Sequence, residues 1–225
     1  MPFAPVRVLI VFYSYSGQSS VLIRRLAAGL LDEGVEVRQE RLQPQQTLRF
    51  PLGSISKTLW LMFITLFRTR FAIQPLTLAD DESYDMMVLA GPTWSWNPSG
   101  PVLALLDQYP GLFRQRSVLA VISCRGYWRS HWRYLRKRLL GMAANPCGPL
   151  VFSHPQREPW RTFGVFLKVA GMAPERSSSL FSRFYPRFGH TRQQCDEAYA
   201  LGRQLAARLK TGSTQEQLRS FKNLP

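Results

Sequence analysis

Val6 to Phe12 (Val-Arg-Val-Leu-Ile-Val-Phe) is a short, nearly unbroken β-branched and apolar run, the pattern of a strand covered on both faces. After a Ser/Gly-rich turn, Leu22, Ile23, Leu26 and Leu30 recur at helical spacing within Val21 to Leu31, and Asp32-Glu33-Gly34 supplies a stop. Val35 to Leu42 mixes apolar and polar positions and reads as an edge strand. Tyr84 to Ala90 and Ser117 to Ser123 repeat the buried-strand pattern, followed by predicted helices over Pro101 to Gln108 and Trp128 to Leu140. Leu150 to Phe152 predicts a short last strand, and Asp196 to Lys210 a terminal amphipathic helix. Strands alternating with helices predict a doubly wound parallel α/β sheet. Right-handed crossovers then set the strand-end loops along one edge, where a ligand would bind.

Two stretches, 43–83 and 155–190, are too long to be plain connections and read as insertions into one domain spanning 1–211, with 212–225 as a tail. The first holds Ser56 to Phe67, apolar nearly all round; the second holds Trp160, Phe163, Val165, Phe166, Leu167 and Val169.

The first strand runs into Tyr13-Ser14-Tyr15-Ser16-Gly17-Gln18-Ser19-Ser20 and then directly into a helix. Hydroxyls, a glycine and the free amides of a helix start suit a phosphate dianion, because those N–H groups lack intrahelical partners and carry the positive end of the helix dipole. The plainer alternative is that Ser16 or Ser19 is only an N-cap. Val8 to Tyr13 followed by Ser14-x-Ser16-Gly17-x-Ser19 resembles the flavodoxin phosphate loop. Tyr84 through Gly91-Pro92-Thr93-Trp94-Ser95-Trp96-Asn97 and on to Val102 resembles the second flavin-contacting loop of that family, although many members carry a residue between the Gly and the Pro. Ser123-Cys124-Arg125-Gly126-Tyr127 stands where the third loop would be.

The resemblance implies a three-layer flavodoxin-like fold of strand order 2-1-3-4-5 that binds FMN. Ser14, Ser16, Gly17, Gln18 and Ser19 would hold the phosphate; Pro92, Thr93, Trp94, Ser95, Trp96 and Asn97, with Ser123, Cys124, Arg125, Gly126 and Tyr127, would frame the ring. Aromatic side chains can stack on a flat isoalloxazine and shift its potential, so Trp94 or Trp96 is nominated for one face and Tyr127 after them, with core or surface packing the plainer account of any single one. Gly91 and Gly126 would let backbone approach the ring edge. Cys124, in the third loop, fits a small buried hydrophobe first and a group that modulates or reacts near a flavin second. His131, His154 and His190 have no Ser or Cys plus acid to complete a nucleophilic arrangement and read as surface or capping residues.

Composition changes the picture in one respect. The 225 residues carry a formal charge of +15, and 45% apolar content excludes wholesale disorder. Residues 1–110 hold nine basic and nine acidic side chains; from Gly111 onward twenty basic residues face five acids. Arg125, Arg129, Arg133 and Arg136, spaced four, four and three apart, would share one helix face if the helix begins near Arg125. Anionic lipid, nucleic acid, and an acidic redox protein or the phosphates of NADH or NADPH all suit such a face, as does plain solvation. Nucleic acid ranks lowest, since no recognition motif accompanies the charge. Lys57, Trp60, Leu61, Phe63, Ile64, Phe67, Arg68, Arg70 and Phe71 combine bulky apolar groups with flanking cations, as an interfacial segment over 55–71 requires. Residues 43–71 also resemble the insertion of flavodoxin-like proteins found with dialkylresorcinol and aryl-polyene biosynthesis.

Cys124, Cys147 and Cys195 are too widely spaced for a disulfide framework or a zinc site, the opening residues predict no signal peptide, and Leu59 to Phe67 is far shorter than the roughly 20 residues of a spanning helix. The expectation is a cytoplasmic FMN-dependent oxidoreductase, taking electrons or hydride from NAD(P)H to a small-molecule or protein acceptor and peripheral at the inner face of a membrane. The insertions would form a lid, a membrane contact or a homodimer contact. A different class stays open: a non-catalytic flavodoxin-fold module binding a membrane or an acidic partner through its basic half.

Overall fold

The computed structural model describes residues 5–78, 83–177 and 179–212. Five parallel strands, β1 (Arg7–Phe12), β2 (Glu36–Arg41), β3 (Met86–Trp94), β5 (Ser117–Cys124) and β6 (Asn145–Ser153), lie in the order β2-β1-β3-β5-β6. The two-residue β4 (Asn97–Pro98) pairs antiparallel with the end of β3. With β4 set aside, this is the expected 2-1-3-4-5 order.

The strand pattern explains the layering. β1 pairs on both sides, Val8 with Val37 of β2 and with Met86 of β3, and so needs apolar residues on both faces. Val8, Ile10 and Phe12 point into one core with α1 (Gln18–Asp32) and α8 (Arg192–Lys210), while Leu9, Val11 and Tyr13 point into the other with α3 (Gly100–Gln108) and α4 (Trp128–Gly141). α1 and α8 cross very closely. A Cβ built on Gly29 would lie 2.1 Å from the Tyr199 carbonyl oxygen, and one on Gly202 would lie 2.2 Å from that of Leu26. α8 begins at Arg192, four residues ahead of the predicted start, because Thr191 and Gln194 form a reciprocal capping box.

β6 is the largest departure from expectation in the sheet. It runs for nine residues, not the three of Leu150 to Phe152, because Pro146, Gly148 and Pro149 hide a strand that only an edge position and a register shift opposite Val118/Leu119 tolerate. At the other edge, β2 is mostly exposed, and its buried Glu40 accepts hydrogen bonds from Thr77 N (3.1 Å) and Thr77 Oγ1 (2.6 Å). The first insertion thereby returns along that edge, with a bridge between Pro44 and Ile73.

That insertion carries α2 (Ile55–Leu66); the second carries α5 (Trp160–Val169), α6 (Pro174–Ser177) and α7 (Ser179–Phe184). Leu52 N donates to Val169 O (2.8 Å), joining the two insertions above the strand ends. Gly164 of α5 lies against the fully buried ring of Tyr185. Beyond Gly212, the expected tail lies outside the described residues. No helix among the described residues is long and apolar enough to cross a membrane.

Candidate functional site

The site is built at the carboxyl ends of β1, β3 and β5. α1 starts at Gln18, three residues ahead of the predicted helix, and Gly17 serves as its N-cap with φ of +83°, a left-handed conformation that disfavours a side chain. Gly17 offers no capping side chain; Ser14 Oγ reaches across to accept from Ser20 N at 3.1 Å. The amides of Gln18 and Ser19 therefore open a helix with no intrahelical acceptor in reach.

The second loop is a tight two-residue hairpin between β3 and β4. Ser95 (φ +43°) and Trp96 (φ +66°) both adopt left-handed conformations, as a type I′ turn demands, with neither a glycine nor an asparagine at those positions. Strain of about 1–3 kcal/mol per such residue must be held by its surroundings, and α2 does the holding. Ser95 Oγ donates to Met62 O (2.8 Å) and lies 2.9 Å from Thr65 Oγ1. Asn97 Nδ2 donates to the carbonyls of Thr65, Leu66 and Ser95, while its Oδ1 accepts from Arg68 Nε (2.9 Å). Asn97 is thus committed to docking the insertion.

These loops and both insertions enclose a cleft that is partly open to solvent. Ten of the sixteen residues nominated from the sequence line it: Ser16, Gln18 and Ser19; Pro92, Thr93, Trp94 and Ser95; and Ser123, Cys124 and Arg125. Ser14, Gly17, Trp96, Asn97, Gly126 and Tyr127 do not. Trp96 and Tyr127 are about half exposed and pack edge to face at 5.9 Å outside the cleft. Trp94 is held edge-on by Tyr13, Tyr15 and Phe71 at 5.4–5.8 Å. Gln18 Oε1 accepts from His190 N (2.9 Å), so that side chain is tied to the turn before α8.

Two expectations need correction here. α4 begins at Trp128, so Arg125 does not join the face of Arg129, Arg133 and Arg136; it sits in the cleft, where burial pulls its pKa down and Glu158 opposes that pull. The three histidines are buried, not surface or capping residues. His131 Nδ1 meets Thr93 Oγ1 at 2.8 Å, and His190 bridges Ser123 Oγ (2.8 Å) and Gln194 Oε1 (3.3 Å). His154 lines the cleft 5.4 Å from the His190 ring, and its buried Nδ1 has no hydrogen-bond partner. Burial pushes the pKa of His131 and His154 down to about 3 and that of His190 to about 4. Each ring is therefore neutral near pH 7. Cys124 is buried as expected, with its Sγ 3.4 Å from Ser153 Oγ and its pKa pushed up by burial.

The remaining lining was not legible in the sequence. Thr58, Leu61, Met62 and Thr65 come from α2, Val165, Phe166 and Val169 from α5, and Phe50 and Phe188 from the loops beside them. Among the described residues, no group of three or more His, Cys, Asp or Glu side chains could hold a metal.

With that geometry in view, solved structures give the class. A flavoprotein in complex with FMN from Lactobacillus acidophilus superposes with a TM-score of 0.52 at 20% identity, covering 65% of this chain and 93% of that one. A flavodiiron core from Synechocystis gives 0.51 at 11% identity, covering 92% of this chain and 37% of that one. No family model and no curated protein matches the chain. The sheet order and these superpositions together define a flavodoxin-like α/β fold.

Proposed function

We propose that the cleft holds FMN and that the protein is an FMN-dependent oxidoreductase, accepting electrons or hydride from NAD(P)H and passing them to an acceptor. One observation carries this reading: the open start of α1, ringed by Ser16 and Ser19, faces the same cleft as Trp94 and the Ser123–Arg125 loop. That the Lactobacillus acidophilus protein of the same fold is a complex with FMN supports it.

The residues present fit such a group. The amides of Gln18 and Ser19 with the hydroxyls of Ser16 and Ser19 would hold a phosphate dianion without a lysine, the helix dipole adding to the attraction. Arg125 adds a cation to the cleft lining. Trp94, fixed edge-on by three aromatic neighbours, presents a rigid wall to a planar ring. His154 remains uncharged near pH 7 and carries an unpartnered ring nitrogen for a polar ligand atom. Bound FMN would supply the electron-carrying chemistry; the protein binds, orients and excludes water. The exposed α4 face of Arg129, Arg133 and Arg136 suits the phosphates of NADH or NADPH. The reduced cysteines Cys124 and Cys195 suit the cytoplasm.

The test is a visible absorption spectrum of the protein as purified and after incubation with FMN, followed by anaerobic NADH or NADPH. A flavin spectrum that bleaches with one of the nucleotides is the expected result; a protein still colourless after incubation overturns the reading. Gly17→Ala gives a sharper check. A Cβ there meets nothing within 4 Å, so the fold is retained, but the residue must hold a φ of +83°. Strain of about 1–2 kcal/mol at the loop predicts FMN affinity roughly tenfold weaker with an unchanged circular dichroism spectrum.

A further inference from the structure

α2 is built inside out. Its only buried side chains are Thr58 and Thr65, whose hydroxyls donate back to Ser54 O and Leu61 O at 2.8 Å, the usual way a helix satisfies a buried threonine. While Leu61 and Met62 wall the cleft, the aromatic groups of α2 face solvent: Trp60 is 63% and Phe63 55% exposed, with Phe67 just beyond the C-terminus at 67%. They form a ladder, Trp60 stacked on Phe63 at 5.9 Å and Phe63 edge-on to Phe67 at 5.2 Å. Polar bonds from Ser95 and Asn97 hold the helix to the protein, so the exposed ladder is not needed to keep it there. A contiguous exposed aromatic face on a helix anchored by its other side marks an interaction surface.

Charge selects the partner. Residues 43–78 contain four basic residues, Arg49, Lys57, Arg68 and Arg70, and no acid; Arg70 is paired with Asp107, which leaves Arg49, Lys57 and Arg68 around α2, and the insertion's acids, Asp80, Asp81 and Glu82, come only at its end. In the neighbouring insertion both acids are already paired, Glu158 with Arg161 and Glu175 with Lys168. A second copy would bring this basic surface against itself, which like charges disfavour. An apolar face of Trp and Phe set among cations matches the headgroup boundary of an anionic bilayer, where aromatic rings enter the acyl edge and Lys or Arg meets lipid phosphate. A helix of 12 residues can lie on a bilayer but not span it.

We infer that α2 docks the protein on anionic membrane surfaces through Trp60, Phe63 and Phe67, laying the cleft walled by Leu61 and Met62 beside the lipid. The inference does not depend on FMN, so binding is measured with and without added flavin. The full chain is co-sedimented with vesicles of phosphatidylcholine alone and with about a third phosphatidylglycerol, in low salt and in about 1 M salt. The expected result is roughly tenfold stronger binding to the anionic vesicles, weakened by salt. In the variant Trp60→Ser/Phe63→Ser/Phe67→Ser, binding should fall by about tenfold with circular dichroism and cleft ligand binding unchanged, since none of the three lines the cleft. Quenching of tryptophan fluorescence by brominated acyl chains should be largely lost in Trp60→Phe. Vesicle binding that the triple variant retains in full overturns the inference. So does self-association of the wild type that the triple variant abolishes while neither protein binds vesicles, which would make the ladder a dimer contact.

Discussion

Taking the protein from pH 7 to pH 4 is expected to unfold it. His131, His154 and His190 are buried at 2%, 7% and 5% exposure, and burial holds their pKa values at about 3, 3 and 4 against an ordinary 6.5. His154 also faces the positive charge of Arg161 and Arg125. The folded state keeps all three rings uncharged, while the unfolded chain takes up three protons as the pH drops through 6.5. A folded pKa below the unfolded one means stability that is present above pH 6.5 and is lost as the pH falls toward the folded value. At about 1.4 kcal/mol per unit per group, the three together withdraw on the order of 10 kcal/mol by pH 4, comparable with the whole stability of a domain. Asp107, Glu158 and Glu175 act in a lower window. Burial alone would raise their pKa, but hydrogen bonds from Arg70 and Arg138, from Thr162 and Arg161, and from Lys168 outweigh it, so their contribution is lost only below the ordinary carboxylate range. Urea midpoints at pH 7, 6 and 5 should fall steadily. His131→Asn should remove about a third of that slope. A midpoint flat between pH 7 and 5 would show that the histidines are not held neutral by burial.

The second large effect lies at the crossing of α1 and α8. Adding one methyl group at Gly202 puts a carbon 2.2 Å from the Leu26 carbonyl oxygen, and at Gly29 2.1 Å from that of Tyr199. Both obstacles are backbone, so no side chain can rotate away, and the helices must move apart by about 1 Å to reach contact distance. That separation loosens the core in which Leu22, Leu26, Leu201 and Leu205 meet β1 and β3. Gly202→Ala is expected to cost about 3 kcal/mol, at the upper end for overpacking, although alanine is the better helix former. For a chain of this size that lowers the melting temperature by about 6–12 °C. Calorimetry on Gly202→Ala and Gly29→Ala checks this, and melting within a degree of the wild type would mean that the helices are not held at this distance. Because α1 also presents the loop of Ser16 to Ser19, the same variants should weaken ligand binding in the cleft.

The parts of the site readable in advance were those encoded locally. Ser16, Gly17 and Ser19 stand between an apolar strand and a helix, so their place at a helix start follows from neighbours in the chain. Cys124, at the end of an apolar run, reads correctly as buried. What could not be read depends on contacts far apart in sequence. Trp96 looks like a ring-stacking residue until the type I′ turn of Ser95 and Trp96 swings it outside the cleft, a turn whose strain is offset by α2 some 30 residues earlier. Arg125 looks like the first member of a basic helix face until Tyr127 turns out to be the helix cap. His154 and His190 appear as isolated polar residues, yet the strand ends and the second insertion bury them 5.4 Å apart.

The sequence by itself determined the layered α/β frame, because alternation of apolar and polar positions dictates which faces must be covered, and covered strands joined by helices have few ways to pack. It also placed a serine- and glycine-rich turn at the start of α1, since a helix start is a local object. Only the tertiary structure decided what closes the cleft and what stays outside. α2 buries two threonines and exposes its aromatic ladder because long-range hydrogen bonds to Ser95 and Asn97, not hydrophobic periodicity, fix which face turns inward. The buried histidines follow the same rule: their neutrality comes from the elements that fold over them, and no neighbour in the chain announces it.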